Sequence, residues 1–211
     1  MPTDTHLLFT DLETTGLDPA HDEIIEAAFL LTTTDLTVLA ETEMLVRPSP
    51  AALHRLLADD QVTGMHTRSG LLRDLRAADR PVPAADTAHT TSLRDTAHTT
   101  SLRDAEQRVI DLLHAHSVRA GQLHIAGSGV AAFDKPFLAR HMPRLHGLLH
   151  YAPIDVGVLR RTWSMWTGGD LVTVNQDKTH RAMDDVRCHL AEATAFRRLF
   201  TAAADSLPIL H

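Results

Sequence analysis

The 211 residues are 44% hydrophobic and 22% charged, with one Cys, Cys188, which describes a globular domain that needs no disulfide framework and fits a cytoplasmic, reducing address. No apolar run approaches the roughly 20 residues of a membrane span, and the first residues lack the basic and apolar regions of a signal peptide. The net charge of −7 argues against a general nucleic-acid coat protein, but residues 1–118 carry 9 Lys+Arg against 19 Asp+Glu while residues 119–200 carry 11 against 7, so a phosphate-bearing ligand is expected to prefer the second half.

Three apolar runs open the chain: His6–Thr10, Ile24–Thr33 and Thr37–Val46. They are separated by turn residues at Gly16-Leu17-Asp18-Pro19 and Thr34-Asp35, which predicts an antiparallel meander. Ala51–Asp59, Arg68–Ala78 and Ala105–His116 follow with helical spacing. A short strand at Leu123–Ala126 then leads into Gly127-Ser128-Gly129, a helix at Lys135–His141, a strand at Tyr151–Ile154 and a helix at Val156–Trp166. A long helix from Ala182 to about Ala204 comes last, with Met183, Val186, Leu190, Ala193, Arg197 and Phe200 on one side. A strand meander followed by strand-helix alternation implies a mixed α/β sheet with helices on its faces.

Between the helical signals at Arg68–Ala78 and Ala105–His116 lies a tandem duplication: Asp86–Arg94 recurs unchanged as Asp95–Arg103. Nine residues in two copies do not make a solenoid. The Thr-rich composition after Pro81 and Pro83 predicts a loop extension or an elongated helix start, with His89 and His98 as solvated histidines rather than metal ligands.

Three groups of acids stand out. Asp11 and Glu13 follow the buried-looking run Leu7-Leu8-Phe9, and strand alternation puts both on one face. Acid-x-acid pairs also occur at Glu41/Glu43 and Asp104/Glu106, so the spacing alone is equally compatible with a turn-facing pair in water. Asp134 precedes a helix and reads either as a site residue or as its N-cap. His180 stands ahead of the final helix with Asp184 and Asp185 in its first turn, where acids also simply complement the helix dipole.

Taken together, Asp11-x-Glu13, Asp134 and His180-x4-Asp185 resemble the DEDDh family of 3′-to-5′ exonucleases. Asp11-Leu12-Glu13-Thr14-Thr15-Gly16-Leu17-Asp18-Pro19, His66-Thr67-x-Ser69-Gly70-Leu71, His150-Tyr151 and Thr179-His180-Arg181-Ala182-Met183-Asp184-Asp185 are, in this order, similar to its oligoribonuclease branch over nearly the whole chain. The resemblance implies a single exonuclease domain over 1–211 with the insertion at 86–103, and a ribonuclease H-like fold with a mixed five-stranded sheet flanked by helices. It implies that Asp11, Glu13, Asp134 and Asp185 hold two Mg²⁺ or Mn²⁺ ions and that His180 takes a proton from the attacking water. Four hard oxygen ligands without cysteine suit those ions, and an ordinary imidazole pKa of about 6.5 suits that base. It further implies substrate contacts from Thr15, Gly16, Leu17, His66 and Tyr151, short single-stranded RNA as substrate, nucleoside 5′-monophosphates as products, and a homodimer in which Tyr151 serves the partner. Asp155, also a family position, reads as a helix N-cap.

The chain departs from that pattern where the branch binds the 5′ phosphate of a dinucleotide. Ala152 replaces an Arg, Gly157 and Val130 replace serines, and Gln61 stands where the branch has a Trp; Ser128 is close enough to substitute for the serine missing at Val130. These differences leave open an exonuclease on longer RNA or DNA, and a catalytically silent nucleic-acid-binding module as a third alternative.

Overall fold

The computed structural model describes residues 4–78, 94–171 and 180–206. A six-stranded sheet with order β4-β3-β2-β1-β5-β6 forms its centre. Strands β1 (His6–Thr14), β2 (Ile24–Thr33) and β3 (Val38–Val46) are the expected antiparallel meander, while β5 (Leu123–Gly127) runs parallel to β1 and β6 (Ile154–Asp155) parallel to β5. The last of these is shorter than expected and excludes Tyr151.

The sixth strand corrects the expectation of five. Strand β4 (Arg94–Thr100) pairs in parallel with the outer edge of β3 and is built mainly from the second copy of the repeat. Its β-branched Thr99 and Thr100 suit a pleated edge, a preference that the polar composition obscured. The same copy starts the next helix: Ser101 caps α4 (Leu102–Ala115), its hydroxyl accepting the Asp104 N–H at 3.1 Å. The first copy, with His89, lies outside the described residues up to Leu93.

Before β4 come α1 (Pro50–Ala58), α2 (Asp60–Arg68) and α3 (Leu71–Ala78); after β5 come α5 (Asp134–His141), α6 (Pro143–His146), α7 (Val156–Thr167) and α8 (Ala182–Ser206). Alternation along β1 divides the core. Leu8 and Leu12 face one layer with Val109 and Leu113 of α4 and Phe137 and Leu138 of α5; Leu7 and Phe9 face the other with Met183, Val186 and Phe196 of α8. A third cluster seats Leu56, Leu71 and Leu75 of α1 and α3 on Ile25 and Leu45. The buried side of α8 turns toward Phe196 and Leu199, leaving Phe200 half exposed. A 3.5-residue reading of that helix drifts away from its true 3.6-residue period. Among the described residues no helix is long and apolar enough to cross a membrane.

Candidate active site

Residues 7, 9, 11 and 13 share one face of β1, so the strand that buries Leu7 and Phe9 against α8 also delivers Asp11 and Glu13 beside the start of α8. Strand β1 runs on to Thr14, so this pair lies within the strand rather than beyond its end. After Glu13 the register with β2 shifts. The turn that follows is fixed by the Thr15 N–H donating to the Glu23 carbonyl at 2.9 Å and the Thr15 hydroxyl donating to Asp22 Oδ1 at 3.1 Å. A Cβ at Gly16 would collide with the Asp22 carboxylate, so a larger residue would have to displace the side chain that accepts from Thr15 and Asp18 in this turn. Leu17 is left projecting, 81% exposed.

Asp134 arrives from β5 through Gly127-Ser128-Gly129, where the Phe133 N–H donates to the Gly129 carbonyl at 3.0 Å. It does not cap α5. Phe133 occupies the cap position without a side-chain hydrogen bond, and Asp134 is the first helical residue, its side chain buried into the site. The helix N-terminus favours its negative charge. Asp185 is buried in the first turn of α8, and His180 stands just before that helix with φ +49°.

Asp11, Glu13, Asp134, His180 and Asp185 all line one open cavity of about 260 Å³, and ligand atoms of Glu13, His180 and Asp185 lie within 4.8 Å of one another. Several anionic oxygens at that spacing, with no cysteine in the set, make a donor set suited to a hard divalent cation. The same cavity is also lined by apolar side chains: Leu17, Val62, Met65 and Phe133. Sequence reasoning missed Val62 and Met65 because it missed α2. The available signal was Asp59, which accepts the N–H groups of Gln61 and Val62 as a helix cap ahead of Val62, Met65 and His66 at helical spacing.

The remaining predicted contacts separate. Gly16 and Leu17 line the cavity, and Thr15 is buried in the turn. His66 is fully buried and does not line the cavity. Its Nε2–H donates to the Thr14 carbonyl at 2.9 Å and its Nδ1 is 3.7 Å from Glu13, so it supports the end of β1 from beneath. Burial, opposed by that hydrogen bond and by Glu26, holds its pKa below the ordinary value. Tyr151 is 82% exposed, its ring tilted against that of His150 and outside the cavity.

Asp155 is the N-cap of α7 as expected, accepting the Val158 N–H at 3.0 Å, and it also accepts the Gly129 N–H at 3.1 Å. Among the departures, Val130 is fully buried in the core. At Gly157 a Cβ would collide with Ser128 Oγ, and Arg161 Nη1 would lie 3.1 Å from it. Ser128 Oγ thus occupies the space that a side chain at position 157 would enter, and Ser128 lines the cavity.

No family model matches the sequence. The chain is 33% identical to an oligoribonuclease of Serratia proteamaculans over 198 residues, 93% of this chain and 96% of that protein. It is 35% identical to an oligoribonuclease of Salmonella typhimurium over the same shares. Among solved structures, the zinc-bound complex of Escherichia coli exonuclease I with single-stranded DNA superposes with a TM-score of 0.59 at 17% identity, covering 94% of this chain and 43% of that one. Exonuclease I of Methylocaldum szegediense gives 0.56 at 19% identity over 92% of this chain and 40% of that one. The chain therefore spans less than half of those larger proteins, and they establish its ribonuclease H-like fold.

Proposed function

The chain belongs to the oligoribonuclease family and is a 3′-to-5′ exonuclease, and from that premise we propose that it hydrolyses short single-stranded RNA to nucleoside 5′-monophosphates at a two-metal centre. The observation that carries this is the convergence of Asp11, Glu13, Asp134, Asp185 and His180 on a single cavity from β1, α5 and the head of α8. The four carboxylates would hold two Mg²⁺ or Mn²⁺ ions. When bound, such ions supply positive charge to the scissile phosphate and its departing 3′ oxygen.

The protein's own residues do the rest. His180 accepts a proton from the attacking water as the water oxygen bonds to phosphorus and the bond from phosphorus to the 3′ oxygen breaks, the departing 3′ oxygen taking its proton from solvent. Leu17, Met65 and Phe133 offer apolar surface to the terminal bases, and Thr15 and Gly16 hold Leu17 in place. His66 contributes by fixing the end of β1. A homodimer belongs to the same reading. Its support is the exposure of Tyr151 outside its own cavity, together with Met165 and Trp166 of α7, which are 79% and 81% exposed. A cytoplasmic location agrees with the single cysteine.

A second reading, trimming of longer single-stranded RNA or DNA, is favoured by one feature: Val130, Ala152 and Gly157 give no side-chain donor for a terminal phosphate. Incubating 5′-labelled RNA and DNA of two to about twenty nucleotides with Mg²⁺, Mn²⁺ or chelator separates the two. Metal-dependent release of 5′-monophosphates, fastest on the shortest RNA, supports the first reading. Cleavage in excess chelator overturns the metal centre, and rates that rise with length favour the second reading.

A further inference from the structure

Glu26 of β2 is the register partner of Glu13 of β1, so the two side chains leave the sheet on the same face. Glu13 opens into the cavity, whereas Glu26 is completely buried. A carboxylate removed from water needs compensation by charge and hydrogen bonds, and Glu26 receives both from the start of α8. Arg181 Nε donates to Oε1 at 3.0 Å, Arg181 Nη2 to Oε1 at 2.8 Å, and the Ala182 N–H to Oε2 at 2.9 Å. The remaining edge of the guanidinium reaches Asp74 of α3, Nη1 to Oδ2 at 2.7 Å. Two carboxylates from two different elements therefore fix the Arg181 fork, and the rigid planar donor set leaves little freedom for rotation.

The neighbours of Arg181 are the consequence. His180 precedes it with φ +49°, a left-handed conformation that a residue with a Cβ keeps only where its surroundings over-determine it. Asp185 follows one turn later, its N–H donating to the Arg181 carbonyl at 3.1 Å. Of the three donors that gather within 4.8 Å, Asp185 is tied to Arg181 only through a helical backbone bond that any side chain at 181 leaves in place, so it is His180 whose setting depends on the fork. Stability alone is a weak reason for the arrangement, since apolar residues of similar volume commonly serve a core as well as a buried ion pair does. What the pair supplies is geometry.

We propose that Arg181 is a positioning residue: clamped between Glu26 and Asp74, it holds His180 in the orientation in which that imidazole accepts the proton of the attacking water. This rests on the role assigned to His180 above. The test is a double-mutant cycle on short RNA in saturating Mn²⁺, using Arg181→Lys, which keeps the charge and loses the fork, His180→Ala, and the two combined. Thermal midpoints and Mn²⁺ titration calorimetry are measured alongside.

The expected result for Arg181→Lys is a kcat lowered about tenfold or more, with KM and Mn²⁺ affinity within about twofold and the thermal midpoint nearly unchanged. The double variant should be no slower than His180→Ala alone, because a misplaced imidazole and a missing one cannot be lost twice. Multiplying losses, a rise in KM at constant kcat, or a wild-type kcat for Arg181→Lys would overturn the positioning role while leaving His180 as the proton acceptor. A wild-type rate for His180→Ala would overturn the catalytic reading itself, and with it the positioning role. Should Arg181→Lys fold poorly, Glu26→Gln, which keeps the shape of the acceptor, takes its place in the same cycle with the same expected non-additivity.

Discussion

Asp11 and Glu13 share a direction because successive strand residues alternate, and Asp185 reaches them because it sits one turn inside α8 on the side packed against that face. Such short-range relations were legible in the sequence: two carboxylates separated by one residue, and a histidine five residues ahead of an acid at a helix start. We expect Asp11→Ala, Glu13→Ala, Asp134→Ala and Asp185→Ala each to abolish cleavage while circular dichroism stays native, because each removes an oxygen ligand. Calorimetric Mn²⁺ titration should show weakened binding; wild-type turnover in any of the four would remove that residue from the metal centre. His180→Ala should lower kcat by about 10²-fold with Mn²⁺ binding largely kept, as for loss of a general base, and an equal loss of metal affinity would make it a ligand instead. What could not be read was any relation that depends on register between distant segments. Glu26 and Arg181 are 155 residues apart, and Ser128 fills the space beside Gly157 only once β5 and α7 are docked.

At the scale of elements the meander, α4, α5, α7 and α8 were legible from apolar runs and near-helical spacing punctuated by turn residues. Helix α2 was not: it is short and mostly polar, with His66 its only fully covered side chain. Strand β4 was hidden by a repeat whose polar residues suit an exposed edge as well as a loop. Since Asp86–Arg94 and Asp95–Arg103 are identical, excising either leaves one copy directly ahead of Asp104, with the same Thr-rich strand and the same serine cap for α4. We therefore expect removal of nine residues to keep activity on short RNA within a few-fold, since a shorter connection changes closure entropy little; loss of soluble expression would show that both copies are packed. The tie between α3 and α8 gives a pH-dependent test. Partial burial raises the Asp74 carboxyl, but hydrogen bonds from Arg73 and Arg181 outweigh it and hold it below its ordinary 3.8. A carboxyl lowered on folding stabilises the protein above its unfolded pKa and stops doing so as pH falls through the folded one. Asp74→Asn should thus cost about 1 kcal/mol in urea unfolding at pH 7 and pH 5, with the gap closing toward pH 3; a gap constant to pH 3 would mean that charge is not its source.

For the molecule as a whole, the charge asymmetry along the sequence is reduced in space by ion pairs. Arg144 pairs with Glu106, Arg160 with Glu192, Arg181 with Glu26 and Asp74, and Arg187 with Glu41, so much of the positive charge of residues 119–200 is spent on internal carboxylates. Length selection depends on what is left, because favouring a dinucleotide requires a donor for its terminal phosphate at a fixed distance from the metal centre. Buried charge-assisted donors would supply about 1.5–3 kcal/mol each. Val130 is buried and apolar, Ala152 has no donor side chain, and the space beside Gly157 is taken by Ser128, whose hydroxyl accepts from Arg160 Nη2 at 3.4 Å. Arg161 is a nearby cation with no carboxylate partner among the described residues, and it is exposed. An exposed guanidinium contributes about 0.2–1 kcal/mol, which is at most about fivefold. We therefore expect kcat/KM to vary smoothly over lengths of two to seven nucleotides without a sharp maximum at two. A 5′ phosphate should change it less than about tenfold, and Arg161→Ala should remove most of that difference. Measuring each length with and without the 5′ phosphate decides the matter: a dinucleotide preference above about tenfold, or roughly 1.4 kcal/mol, would mean that a donor outside Ser128 and Arg161 closes the site, with a second subunit then the place to look for it.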